Sequence, residues 1–306
     1  MKKYFMITIV VAMMFFVAAC EDDGDDSEDR TNPFRGGTES LSISFDNDNP
    51  PDEVYDDTPF FIGLDIRNNG EYPVPQDEFE VKIRGLNPET YGTSSSDLTS
   101  NLNTDLQPTR LDVDGSLFEG GEDYMEFGPL EYSDELSTVI SDVPVQAQAC
   151  YSYGTEVVSE LCIKEDVSRD NPGDVCMVNE DKTFYNSAGP VQVTSFKESP
   201  RGSDTISFNF RVEHKGVGKV YSKGGSCGDD VRENEVLVKV DGPAGTDCST
   251  LSGTEGSIRI GDTGRSVSCS LDVSDASSSY SDQITIDLEY TYQQTVTSTI
   301  DVKPVN

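Results

Sequence analysis

From Leu41 onward the apolar residues fall on every second position: Leu41, Ile43 and Phe45; Phe60, Ile62, Leu64 and Ile66; Phe79, Val81 and Ile83. A period of two sends successive side chains to opposite faces of an extended chain, so each run predicts a half-buried strand. The pattern returns at Val191 and Val193, at Ile206, Phe208, Phe210 and Val212, at Val236, Val238 and Val240, and at Ile284, Ile286 and Leu288. Gly, Pro, Asn, Asp and Ser fill the intervals, which is the chemistry of turns. No long stretch carries a 3.6-residue period, although Asp97 to Leu106 could hold a short helical turn. The chain is expected to be all-β.

An internal repeat divides it. Tyr151 to Lys164 (YSYGTEVVSELCIK) aligns without a gap on Tyr290 to Lys303 (YTYQQTVTSTIDVK), at an offset of 139 residues. Upstream, Ile62 to Gly70 aligns on Phe208 to Gly216, a strand running into a glycine turn, at an offset of 146 residues. Two tandem β-sandwiches are expected, over 38–166 and 188–306, joined by a polar linker over 167–187 that contains Asn171-Pro172-Gly173. Each Tyr-x-Tyr segment reads as the closing hairpin of its sandwich.

Cysteine placement adds detail. Of seven cysteines, Cys20 stands apart and six remain, an even number as expected of a disulfide-bonded exported protein. A hairpin turning near Glu156 sets Cys150 opposite Cys162, a cross-strand staple. Cys248 with Cys269 would then join strands of the second sandwich, and Cys176 with Cys227 would pin the linker to a loop. A metal site would need close spacing such as C-x-x-C with histidines, and the sequence has neither.

The N-terminus is of another kind. Lys2 and Lys3 precede an apolar run from Phe5 to Val17, which ends in Val17-Ala18-Ala19-Cys20. That run is shorter than the roughly 20 apolar residues of a spanning helix. It resembles a prokaryotic lipoprotein signal with its lipobox, which implies removal of residues 1–19 and a lipid anchor on Cys20. The next stretch, Glu21 to Asp29, has seven carboxylates in nine residues and no apolar side chain, so residues 20–37 are expected to be a disordered acidic tether.

Within the first copy, Ile66-Arg67-Asn68-Asn69-Gly70 is followed by the alternating strand Phe79 to Arg84 and Gly85. This resembles the CARDB type of immunoglobulin-like module in prokaryotic surface proteins, a β-sandwich linked to adhesion and extracellular arrays. In the second copy His214 stands where Asn would. The layout as a whole resembles exported archaeal lipoproteins, which implies an extracytoplasmic, lipid-anchored location.

Charge and chemistry narrow the role. With 57 acidic against 22 basic residues and a net charge of -35, the chain offers no basic patch to phosphate, so nucleic acid is excluded as a partner. The same balance is seen in salt-adapted proteins. The single histidine, His214, has no partner motif for a triad and is expected on the surface. No nucleotide, hydrolase or metalloprotease motif occurs, and Lys223 to Gly228 is a glycine-rich loop with no helix behind it. Asp46 to Asn49 and Asp112 to Gly115 offer oxygen ligands of the kind calcium takes, but neither fits the EF-hand loop, so ordinary turns are expected and calcium is the one candidate ion. The expectation is a non-enzymatic surface lipoprotein with an adhesion, envelope-structure or protein-binding role and a surface protein or glycan as partner. The alternative is a lipoprotein that binds an ion or small solute in a concave polar pocket.

Overall fold

The computed structural model describes residues 32–169, 171 and 173–305; Cys20, the signal segment and most of the acidic stretch lie outside them. The first half contains β1 (Leu41–Phe45), β2 (Glu53–Tyr55), β3 (Phe60–Asn68), β4 (Phe79–Arg84), β5 (Thr99–Ser100), β6 (Arg110–Leu111), β7 (Leu117–Phe118), β8 (Glu122–Leu130) and β9 (Ile140–Ile163). The second contains β10 (Glu180–Asp181), β11 (Phe184–Asn186), β12 (Val191–Pro200), β13 (Thr205–His214), β14 (Lys219–Ser222), β15 (Glu235–Asp241), β16 (Thr246–Cys248), β17 (Glu255–Arg259), β18 (Arg265–Asp272) and β19 (Tyr280–Lys303). Two short 3-10 turns, Gln76–Glu78 and Asp230–Arg232, are the only helical elements among the described residues. The fold is an all-β sandwich.

The two halves use one strand plan. In the first, β1-β3-β8 form one sheet and β5-β4-β9 lie together in another; in the second, β12-β13-β18 and β17-β15-β19 repeat the order. The facing sheets bury the alternating residues between them. Leu41, Ile43, Ile62, Leu64, Ile66 and Met125 meet Phe79, Val81, Ile83 and Val145 in the first half, and Val193, Phe208, Phe210 and Val267 meet Val236, Val238, Ile284 and Ile286 in the second. Each fully buried aliphatic or aromatic side chain contributes about 1.5–3 kcal/mol. The stretch 167–187 carries β10, which pairs with β12, and β11, which pairs with β9.

The closing hairpins do not form. β9 and β19 are single strands of 24 residues, several times the usual length of about 5–6. They pair antiparallel along almost their whole length, so one continuous sheet serves both halves. The pairing is isologous in the sense used for a two-fold dimer. Tyr151 pairs with Tyr292 and Tyr153 with Tyr290, while Ser152 faces its own repeat mate Thr291 at the centre.

This geometry corrects the cysteine pairing. Without a turn at Glu156, Cys150 and Cys162 lie on one strand twelve residues apart and cannot meet. Cys150 bonds Cys227, holding the glycine-rich loop against the shared sheet, and Cys162 bonds Cys176, tying the crossover to the end of β9. Cys248 bonds Cys269 between β16 and β18.

Candidate functional site

The two repeated motifs meet in space. The turn after β3 is closed by Asn68, whose side-chain oxygen accepts from Gly70 N at 3.1 Å and whose Nδ2 donates to the Tyr72 and Leu106 carbonyls. A Cβ on Gly70 would drive into the Tyr153 hydroxyl, and one on Gly216 into the Tyr292 hydroxyl. Each glycine turn therefore sits on the second tyrosine of the other repeat motif in its own half, and only glycine allows the approach. His214, expected on the surface, is half-buried with its ring edge-on to Tyr292 at 5.8 Å. Desolvation lowers its pKa, so it is neutral at pH 7.

Tyr151, Tyr153, Tyr290 and Tyr292 form a buried aromatic group where β9 crosses β19, with ring centroids 5.9–6.3 Å apart. Burial pushes all four phenols above their ordinary range, so they remain protonated donors. Each hydroxyl is satisfied. Tyr151 bonds Ser40 at 2.9 Å and donates to Gln294 Oε1; Tyr153 donates to the Ala188 carbonyl; Tyr290 bonds Thr155; and Tyr292 accepts from Gly218 N at 2.7 Å.

Beside this group a cleft of about 310 Å³ opens between the entry segment and the turn after β13. Thr38, Ser40, Leu41, Ser42 and Asn69 line it from the first half, and Lys215, Val217, Tyr292 and Gln294 from the second. Glu71 organises the entry segment: its carboxylate accepts from Arg35 N at 2.8 Å, Gly36 N at 3.0 Å and Ala188 N at 2.7 Å. A wider trough of about 510 Å³ runs over the outer face of β1-β3-β8, with Ser42, Ser44, Asp65, Arg67, Glu122 and Tyr124 in its walls. Arg67 there bridges Glu119 and Glu122.

The acidic loops are turns. Asn49 Nδ2 donates to Asp46 Oδ2 at 3.0 Å, and Asp112 Oδ1 accepts from Asp114 N and Ser116 N. Among the described residues no group of three or more His, Cys, Asp or Glu is placed to hold a metal ion.

Three carboxylates gather on the shared sheet. Asp287 lies directly opposite Glu156, and Glu289 follows on the same face. Desolvation raises the pKa of both Glu156 and Asp287, helped by Asp287 for the first and Glu289 for the second. Desolvation also raises Glu289, but Lys223 and Lys239, each 2.7 Å away, outweigh it and hold its pKa low. For the raised pair, the stability contribution is present in full below the normal carboxylate range and is lost as pH rises through the raised values. Asp287→Asn should thus stabilise the fold at neutral pH by about 0.2–1 kcal/mol, the usual cost of like charges facing across strands. Thermal unfolding would show the gain at low ionic strength and less of it near 1 M salt, where the screening length is about 3 Å. An equal midpoint for both proteins at low salt would remove the repulsion.

Glu198 was not expected. It is completely buried in β12, where it accepts from Cys162 N with both oxygens at 3.1 Å and pairs with Lys182 Nζ at 2.8 Å. Burial pushes its carboxyl up to about 7, against the pull of Lys182.

No protein-family model and no curated protein sequence matches the chain. Two of the solved structures that match it are the following. The collagen adhesin from S. aureus is 8% identical, with 89% of this chain and 96% of that one covered, at a TM-score of 0.10. The collagen binding domain of surface protein RspB from Erysipelothrix rhusiopathiae is 10% identical, with 88% and 91% covered, also at 0.10. Scores this low carry no argument for a shared partner or role.

Proposed function

We propose that this chain is a non-enzymatic extracytoplasmic binding protein, held at the cell membrane by lipid on Cys20. Its body is read as two copies, 38–166 and 188–306, of an immunoglobulin-like sandwich of the CARDB type, and its role as adhesion, envelope structure or assembly with a surface protein or glycan. The observation that carries the reading is the contrast between open and closed polar groups. The cleft and the trough are lined by hydroxyls, amides and ion-paired side chains on a disulfide-braced scaffold, whereas the carboxyl moved furthest towards neutrality, Glu198, is sealed in the body and cannot reach a substrate. Disulfides favour an oxidising compartment.

Cys20→Ser should release the protein from membranes and abolish lipid labelling; unchanged retention and label would refute the anchor. Cross-linking and pull-down from membranes of the native host should then recover a partner that competes with the purified body. The second reading, capture of a small solute, is favoured by the cleft, because both halves line it.

A further inference from the structure

We propose that the cleft beside the tyrosine group binds a neutral polyhydroxylated ligand, a single sugar residue, through Ser40, Gln294 and the surrounding hydroxyls. The proposal rests on the reading of the chain as a binding protein and names the ligand class of one of its sites.

Charge speaks first. In a protein with 57 acids and 22 bases, the lining of this cleft holds one of each, Glu39 and Lys215. Both are already paired elsewhere: Glu39 Oε2 with Arg35 at 3.2 Å, and Lys215 Nζ with Glu213 at 2.6 Å. An anionic or cationic ligand would find no uncompensated partner, and losing its hydration without one is costly.

The hydrogen-bond direction speaks second. The Tyr151 hydroxyl donates to Gln294 Oε1, so in its bond with Ser40 it accepts, and Ser40 spends its single proton there. Ser40 Oγ, on a residue only 3% exposed, then keeps acceptor capacity, while the Gln294 amide keeps its NH2, which has no protein partner among the described residues. A donor and an acceptor on one wall, fixed by a buried phenol, match a hydroxyl, which both donates and accepts. Thr38, Ser42 and Asn69 extend the same chemistry, and Val217 supplies apolar surface for the C–H face of a ring. A volume of about 310 Å³ lies at the small end of ligand pockets, roughly 300–1,000 Å³, which suits one ring and excludes a folded partner.

The test uses the exported full chain carrying Cys20→Ser, with titration calorimetry and tyrosine fluorescence as readouts; the chain has no tryptophan. Probes are the methyl glycosides of glucose, galactose, mannose and N-acetylglucosamine, the matching trisaccharides, and phosphate and ammonium at constant ionic strength. At least one glycoside should bind saturably with Kd on the order of 1 mM. Gln294→Leu should weaken it about tenfold. Val217→Trp, at a side chain 97% exposed on the rim, should abolish it without touching the core, while Val113→Trp on a remote turn should leave it unchanged. A trisaccharide that binds more tightly than its monomer marks a glycan end as the source, and equal binding marks a free sugar. No saturable glycoside, binding equal in V217W and the unaltered chain, or saturable phosphate or ammonium alone would each overturn the proposal. The membrane pull-down would stand apart from any of these results.

Discussion

Replacing Cys150 and Cys227 together by serine should cost about 4–5 kcal/mol, more than the loss of either other bridge. The reason lies in the unfolded chain. This bond spans 77 residues, against 14 for Cys162–Cys176 and 21 for Cys248–Cys269, and the loop-closure entropy it removes grows with the logarithm of that span, giving about 3 kcal/mol for each shorter loop. Its position adds to the effect. Cys150 faces Gln293 in the shared sheet, two residues from the central Ser152–Thr291 pair, and the loop it holds follows β14, whose Tyr221 hydroxyl donates to Gln293. Denaturant unfolding of the three double-serine variants should rank this pair first. Non-reducing peptide mapping should recover Cys150 linked to Cys227; a Cys150–Cys162 peptide would reinstate the hairpin and refute the continuous strand.

The hairpin reading failed because the residues around Glu156 allow a turn as well as a continuous strand. Along β9 the odd positions from Val145 to Ile163 are buried together with Gly154 and Cys162, and along β19 the even positions from Ile284 to Tyr292, with Ile300 and Val302, are buried together with Thr291 and Gln293. Gly154 beside Glu156 offers turn chemistry, but it lies within the extended strand, where a Cβ would meet the Tyr72 ring at 2.5 Å, so the glycine serves a close approach and not a corner. What the alternation did carry was the all-β class, the strands β1, β3, β4, β12, β13, β15 and the central part of β19, and the kinship of β3 with β13. Pairing between copies was not visible, because hydrogen bonds between backbones leave no residue-specific mark. The cleft was beyond reach for a similar reason: its walls come from Ser40, Lys215 and Gln294, which no local pattern unites. Glu198 was hidden by its neighbours, since Phe196-Lys197-Glu198-Ser199 reads as a strand with a polar outer face, whereas a register shift between Val193 and Ser195 turns Glu198 inward.

That inward turn leads to the second large effect. Lys182→Met should destabilise the protein by about 3–5 kcal/mol near pH 8, because it strands an ionised carboxylate with no countercharge. Glu198 is hydrogen-bonded by Cys162 N from β9 and by Lys182 Nζ, which also donates to the Met177 carbonyl and Glu180 Oε1 at 2.7 Å. Glu180 adds a like charge that pushes the carboxyl further up. In the unaltered protein the folded value of about 7 lies above the ordinary 4.5. The stability Glu198 contributes is therefore present in full below about 4.5 and is lost as pH rises through about 7, a loss of order 3 kcal/mol. This slope runs opposite to that of a surface ion pair. Without Lys182 the carboxyl is pushed higher still, so the variant should recover most of its deficit near pH 5, where Glu198 is protonated and nothing is stranded. Glu198→Gln should flatten the pH dependence of unfolding between about 5 and 8. A Lys182→Met penalty equal at both ends of that range would mean that Glu198 is never ionised in the folded protein, and the buried pair would then be a neutral hydrogen bond.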